Sequence, residues 1–287
     1  MIKIGKNLII SYNKPPIIIA EISGNHKGSK TRFLNLVKSA CKNGADLIKI
    51  QTYEAKDITL DKKTNHFKIK EGVWKGKYLN ELYRNACTPF SWHKDAFRIA
   101  KKYKKIIFSS PFSIRAVDFL EKLKVPVYKI ASFEITDYNL IKYIASKKKP
   151  IIISTGMANI NEIENAIKII EKYHRKIIIL HCVSNYPTKI VDTNLKRIST
   201  LKKKFKKYLV GLSDHTINIY SSIASIPIGV ALIEKHYNLD NKKTPDSSFS
   251  IGPKDLIKLK NISTDLFKSL NSSNIKKSKT PNIRLRR

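Results

Sequence analysis

The chain is short of cysteine, of acidic residues and of long apolar runs, and each shortage excludes something. Three cysteines (Cys41, Cys87, Cys182) stand far apart in 287 residues with no C-x-x-C pair. That rules out a disulfide framework or a cysteine zinc site and reads as reduced thiols of a cytoplasmic protein. No stretch is apolar for 18 residues, so no transmembrane helix is expected. The start, "MIKIGKNLII", is too short and broken for a secretory signal and no small-residue cleavage site follows it. No G-x-G-x-x-G follows the first apolar run and no G-x-x-x-x-G-K occurs anywhere, which leaves a dinucleotide fold or a P-loop without support.

Acids number 22 against 56 lysines and arginines, a net charge of +34. Such a balance invites a nucleic-acid partner. Only nine of the 56 are arginine, however, and base readout and phosphate clamping favour its bidentate fork. The lysines are scattered along the chain, among abundant Ile and Asn. The reading is compositional drift over a solvated lysine surface, with neither nucleic acid nor membrane as partner. Residues 271–287 are an exception: six positive charges and no acid suggest a disordered basic tail.

Eight short Ile- and Val-rich runs are present, at 17–22, 46–52, 105–112, 127–132, 150–156, 177–183, 209–215 and 231–237. Most are nearly continuous in apolar residues, as parallel strands covered on both faces should be. The spacers carry helical periodicity and stop signals, such as Phe33, Leu36, Val37 and Ala40 before Asn43-Gly44. From the third run onward, strand starts lie 22 to 32 residues apart, about one βα unit each. Only 53–104 is over-long and must hold an insertion, whose Trp74, Tyr78, Tyr83 and Trp92 read as packing. Eight βα units within residues 1–270 fit a closed (β/α)₈ TIM barrel better than an open doubly wound sheet.

Chemistry in such barrels lies at the C-terminal ends of the strands. Those ends carry Glu21; Lys49 and Gln51; Ser109 and Ser110; Lys129, Ser132 and Glu134; and Ser154 and Thr155. The last three carry His181 and Ser184; Ser213, Asp214 and His215; and Glu234, Lys235 and His236. Ionisable groups ending apolar runs are costly unless paired or functional. Lys49 and Lys129, with several hydroxyls, suit a phosphate. His215 and His236, on neighbouring strand ends, suit a divalent metal with open coordination positions. A loop contact and a substrate contact are equally open for His26.

The motifs "IIAEISGNHKGS", "ADLIKIQTY", "FSSPFS", "YKIASFEITD", "IISTGMA", "GLSDHT" and "IEKHY" resemble, in order and spacing, those of the N-acetylneuraminate (sialic acid) synthase family. The segments "EGVWKGKYLNELYRNACTP", "WHKDAF" and "PDSSFS" are closest to its pseudaminate-making branch. The likeness covers roughly residues 15 to 265. It implies a metal-dependent transferase that condenses phosphoenolpyruvate with an open-chain amino sugar aldehyde, releasing phosphate and a nine-carbon keto acid. Mn²⁺ or Mg²⁺ would sit on His215 and His236, with Glu21 assisting the attacking water. Phosphoenolpyruvate contacts would fall on Lys49, Ser110, Lys129, Ser132, Ser154, Ser184 and Ser213. Sugar contacts would fall on Gln51, Glu134, Tyr186, Glu234 and Asp246.

Thr244-Pro245-Asp246 departs from the G-P-D usual in the family, and "HCVSNYP" also differs locally. The family usually continues into a small antifreeze-like domain that swaps onto the partner of a homodimer. This chain ends at Arg287, so a barrel without that domain is expected. The competing readings are an N-acetylneuraminate or legionaminate synthase, a catalytically impaired paralogue serving as scaffold, and a polyanion-binding protein.

Overall fold

The computed structural model describes residues 1–272 of the chain, so the expected basic tail lies almost wholly outside the described residues. A two-stranded antiparallel hairpin, β1 (Ile2–Ile4) and β2 (Leu8–Ile10), precedes eight parallel strands. These are β3 (Ile17–Glu21), β4 (Leu47–Thr52), β5 (Ile106–Pro111), β6 (Tyr128–Ile130), β7 (Ile151–Ser154), β8 (Ile177–Cys182), β9 (Leu209–Asp214) and β10 (Leu232–His236). They close in chain order, with β10 pairing back onto β3, so the expected (β/α)₈ TIM barrel is the fold.

Strand periodicity sorts the side chains into two layers. Outward residues such as Ile18, Ile48 and Ile153 pack under the helices. Inward residues such as Ile19, Phe108, Val127 and Ile178 fill the barrel interior together with Ile2, Ile4 and Ile10 of the hairpin. The hairpin therefore plugs the bottom of the barrel, at the strands' N-terminal ends. Its strands of three residues are too short for alternation to announce them in the sequence. Near mid-barrel the interior is tight enough that a Cβ on Gly211 would lie 2.4 Å from the Leu232 carbonyl, and only glycine fits.

Helices start and stop where their caps predict. Ser29 and Asn159 accept backbone N–H bonds at the starts of helices Lys30–Lys42 and Ile160–Glu171, the latter in a capping box with Glu162. The over-long segment adds short helices at Ala55–Ile58 and Leu79–Ala86 before helix Phe90–Lys102 returns to the barrel. The last helix, Pro253–Asn271, begins with proline in its first turn and ties the closure through Lys260, 2.7 Å from Asp46.

Candidate active site

Parallel strands in register send matched residues to the same side, which is what assembles the mouth. Ser213 pairs with Glu234 and His236 with Glu21, so all four face inward above the apolar layers. Asp214 and Lys235 pair one step away and face outward. Buried there, Asp214 accepts from the Thr216 backbone (2.8 Å) and Ser222 hydroxyl (2.6 Å), and Lys235 Nζ lies 3.3 Å from it and donates to the Thr216 carbonyl. This outward pair holds the strand-end loop in place. His181 also faces outward, hydrogen bonded to the Thr193 carbonyl at 2.7 Å, and Ser109 bonds Thr52 at 2.6 Å beneath the helices.

Inside the mouth, Lys49 Nζ lies 2.7 Å from Glu21 Oε2 and 2.7 Å from Glu234 Oε1. Glu234 Oε1 also accepts from Ser213 at 3.2 Å and lies 3.8 Å from Lys129 Nζ, which donates to Ser154 at 2.7 Å. Burial pushes Lys49 down to about 8, aided by the like charge of Lys129 and opposed by Glu234. Burial would push Glu234 up, but the two ammoniums hold it at about 2. Glu134 is pushed up to about 7 by burial, against the pull of Lys129 and Lys49.

Ser132 and Ser184 meet around Gly156, whose N–H donates to Ser132 Oγ at 3.1 Å. A Cβ added there would lie 2.2 Å from Ser184 Oγ and 2.9 Å from Ser132 Oγ. Gly156 was not among the predicted residues; a glycine after a strand carries no sign of what crowds it. Cys182 was missed too. It points inward, 3.8 Å from His215 Nδ1. Burial pushes its thiol up, but neighbouring His215 and Lys129 outweigh that and bring it to about 7.

On the opposite wall, the His215 and His236 rings lie 5.3 Å apart, with Tyr186 tilted against His215 at 4.4 Å and Phe249 edge-on to His236 at 4.8 Å. His215 Nδ1 is 2.9 Å from the Val183 carbonyl, so it carries the proton and Nε2 keeps the lone pair. Buried His236 Nδ1 has no hydrogen-bond partner and stands 3.8 Å from Asp246, whose Oδ2 accepts from the Gly24 backbone at 3.0 Å. Burial first, then nearby positive groups, depress His236, which is therefore neutral. Burial would lower His215, but Cys182, the Val183 carbonyl and Glu234 outweigh it and raise the ring, so a divalent cation would have to displace a proton there, whereas His236 offers a free lone pair; water or substrate would supply the other ligands. Among the described residues no group of three His, Cys, Asp or Glu side chains closes on a metal.

The loops above are clasped together. Thr244 bonds Asn25 through its hydroxyl, and Asn25 also donates to the Tyr237 carbonyl. His26 takes the loop role: fully buried, its Nε2 is 3.1 Å from the Ala86 carbonyl and its Nδ1 accepts from Gly28. Trp92 packs edge-on against His26, as expected of the insertion's aromatics. Trp74 departs from that expectation: it bonds the Pro245 carbonyl at 2.8 Å and lies 5.6 Å from Tyr186, on the wall of the site. A groove of about 1480 Å³ outside that wall is lined by Trp74, Lys77, Arg84 and Lys243, but by none of the predicted site residues.

Among the described residues eight buried side-chain nitrogens and oxygens lack a hydrogen-bond partner, and five belong to Glu21, Ser110, Glu134, Glu234 and His236. Glu21 Oε2 has the Lys49 ion pair and His236 Nδ1 stands 3.8 Å from Asp246; the other three have no partner. Native structures rarely leave such atoms unsatisfied, and a cluster of them marks a place made for a ligand. Gln51 sits beside Ser110 in register, at the half-buried edge of the same mouth.

The sequence profile of the NeuB family matches residues 36–274. The chain is 43% identical over 241 residues to the pseudaminic acid synthase of Campylobacter jejuni, covering 83% of this chain and 70% of that protein. It is 43% identical over 244 residues to the pseudaminic acid synthase of Helicobacter pylori, with the same coverage. Identity to an N,N'-diacetyllegionaminic acid synthase of C. jejuni is 37% over 248 residues, 85% of this chain and 74% of that one. The crystal structure of an N-acetylneuraminic acid synthetase from Leptospira borgpetersenii superposes with a TM-score of 0.86 at 29% identity, covering 97% of this chain and 93% of that one. The chain belongs to the NeuB family.

Proposed function

We propose that the chain is a nonulosonic acid synthase of the pseudaminate type. It would condense phosphoenolpyruvate with an open-chain 2,4-diacetamido-2,4,6-trideoxyhexose and release phosphate. The observation that carries this is the cluster of unsatisfied buried polar atoms between a two-lysine cradle and a two-histidine wall. The 43% identity to two pseudaminic acid synthases, against 37% to a legionaminate one, favours this sugar.

In this reading Lys49 and Lys129 supply positive charge to the phosphoenolpyruvate anion. Ser132, oriented by the Gly156 N–H, would offer its hydroxyl together with those of Ser184, Ser154, Ser213 and Ser110 at fixed positions, so little reorganisation is needed on binding. Glu234 Oε1 pairs with Lys49 and lies near Lys129, which leaves its unpartnered Oε2 for the sugar; Glu21 would take a proton from the attacking water. Glu134, held near 7, can carry or release a proton at neutral pH beside the sugar. Tyr186, Gln51 and Asp246 frame the sugar end. A Mn²⁺ or Mg²⁺ held by His215 and His236 would act as a Lewis acid toward the sugar carbonyl.

The test is phosphate release from phosphoenolpyruvate with Mn²⁺ and each candidate hexose in turn. Turnover with the 2,4-diacetamido-2,4,6-trideoxyhexose of pseudaminate stereochemistry is the expected result. Turnover confined to N-acetylmannosamine, or to the legionaminate precursor, would overturn the choice of sugar. No turnover with any of them would return the chain to the scaffold reading.

A further inference from the structure

The lysines are scattered in sequence but not in space. Five successive helix-to-strand connections read "KKYKK" (101–105), "KLK" (122–124), "KKK" (147–149), "KYHRK" (172–176) and "KKKFKK" (202–207), with no acid in any. Each immediately precedes a barrel strand, β5 to β9, so all five lie on the bottom face, opposite the mouth. They hold seventeen of the chain's 56 positive residues. The hairpin plug lies among them, its Gly5 turn against Ile106 and Pro126, and adds Lys3 and Lys6. Four of the seventeen reach a carboxylate: Lys147, Lys149, Arg175 and Lys204. The other thirteen have none among the described residues.

Charge is kept here even where the backbone disfavours it. Lys104, Lys124 and Lys148 follow three successive helices at φ of 54°, 57° and 54°, the left-handed position where glycine is the unstrained choice. The insertion at the mouth contrasts with this: between 54 and 77 its lysines alternate with Glu54, Asp57, Asp61 and Glu71.

The type of charge indicates the partner. Sixteen of the seventeen are lysine, a hydrated point charge on a flexible stem, poorly suited to the bidentate contacts that hold nucleic acid. The interleaved aromatics are poor base-stacking platforms, because Tyr103 and Tyr173 are partly buried against the core beneath the helices and Phe205 is buried. The large apolar residues exposed near this face are few, chiefly Met1, Tyr12 and Leu270, too little for the desolvated core of a protein interface. A plane of anionic headgroups needs no such core, only a broad face of positive charge. No helix among the described residues is long and apolar enough to cross a membrane, so such contact is peripheral.

We propose that the bottom face of the barrel is a peripheral docking surface for an anionic lipid bilayer, holding the barrel with its mouth turned to the water. The experiment is flotation of the full chain with vesicles of phosphatidylcholine alone or mixed with phosphatidylglycerol, at low and high salt. The quadruple variant Lys102→Glu, Lys172→Glu, Lys203→Glu, Lys207→Glu tests the face, and Lys62→Glu, Lys63→Glu, Lys68→Glu, Lys70→Glu tests total charge; all eight positions are exposed. Thermal melting checks that both variants fold, and the same four bottom positions changed to Gln provide a milder version. Salt-sensitive binding to the anionic vesicles only, weakened about tenfold or more by the bottom-face set and far less by the mouth-side set, is expected. Equal weakening by both sets, no binding by the parent chain, or displacement from vesicles by equimolar duplex DNA would each overturn the proposal.

Discussion

The two ends of the barrel handle lysine in opposite ways. At the mouth, Lys49 and Lys129 are buried, and each is fixed by a carboxylate or hydroxyl within 2.7 Å. At the bottom, lysines stand in water and most have no partner. One residue type thus serves as a positioned charge at one end and as diffuse charge at the other. What differs is desolvation: a buried ammonium must be compensated, and compensation fixes its position. The count of 56 positive residues is therefore no guide to where charge acts.

The comparison can be broken most severely at Glu234. Glu234→Ala should leave the two lysines under-compensated and lower stability by about 3 kcal/mol, read from denaturant unfolding. An unfolding curve like that of the parent would mean that the mouth lysines are as free as those at the bottom. Next in size is His236→Ala, with a loss of phosphate release of about 100-fold or more. Bound Mn²⁺, measured by elemental analysis after dialysis, should fall with it, while the melting temperature holds. Gly156→Ala should then raise the KM for phosphoenolpyruvate on the order of tenfold by pushing Ser184 and Ser132 apart, with kcat less affected.

A milder perturbation is pH. Lys49 is depressed to about 8, so its charge is complete below that value and lost above it. Affinity for phosphoenolpyruvate should therefore hold at pH 7 and decline as pH rises through 8; a flat profile to pH 9 would show that Lys49 does not carry the anion. The smallest effect belongs to the bottom. Lys104→Gly should stabilise the fold by about 1 kcal/mol by relieving the left-handed strain, leaving turnover unchanged.

All eight barrel strands were legible in the sequence because Ile and Val runs need no context. Strand-end residues followed from them, since a parity of two fixes which side chains look inward. The same parity separates Ser213 and Glu234, which build the site, from Asp214 and Lys235, which hold the loop. Less was readable where meaning depends on a neighbour distant in sequence. Cys182 looked like an inert thiol until β9 brought His215 beside it, and Gly156 until Ser132 and Ser184 converged on it. The wall position of Trp74 depends on a long insertion whose path no periodicity describes. The basic face was hidden by its own regularity, for charges one βα unit apart look dispersed along a chain and coincide on a barrel.

The seam between β3 and β10 has a consequence for how this protein is made. It joins Ile17 to Leu232 and Glu21 to His236, the longest sequence separation in the sheet. During synthesis the first strand waits, one edge unpaired, until more than two hundred residues have followed it, and such non-local pairing is slow and aggregation-prone. Because Glu21 and His236 flank that seam, closing the barrel is also what brings these two candidate site residues together. A chain whose seam is unpaired keeps the two residues apart, so assembly of the candidate site and protection of the exposed strand edge depend on the same pairing.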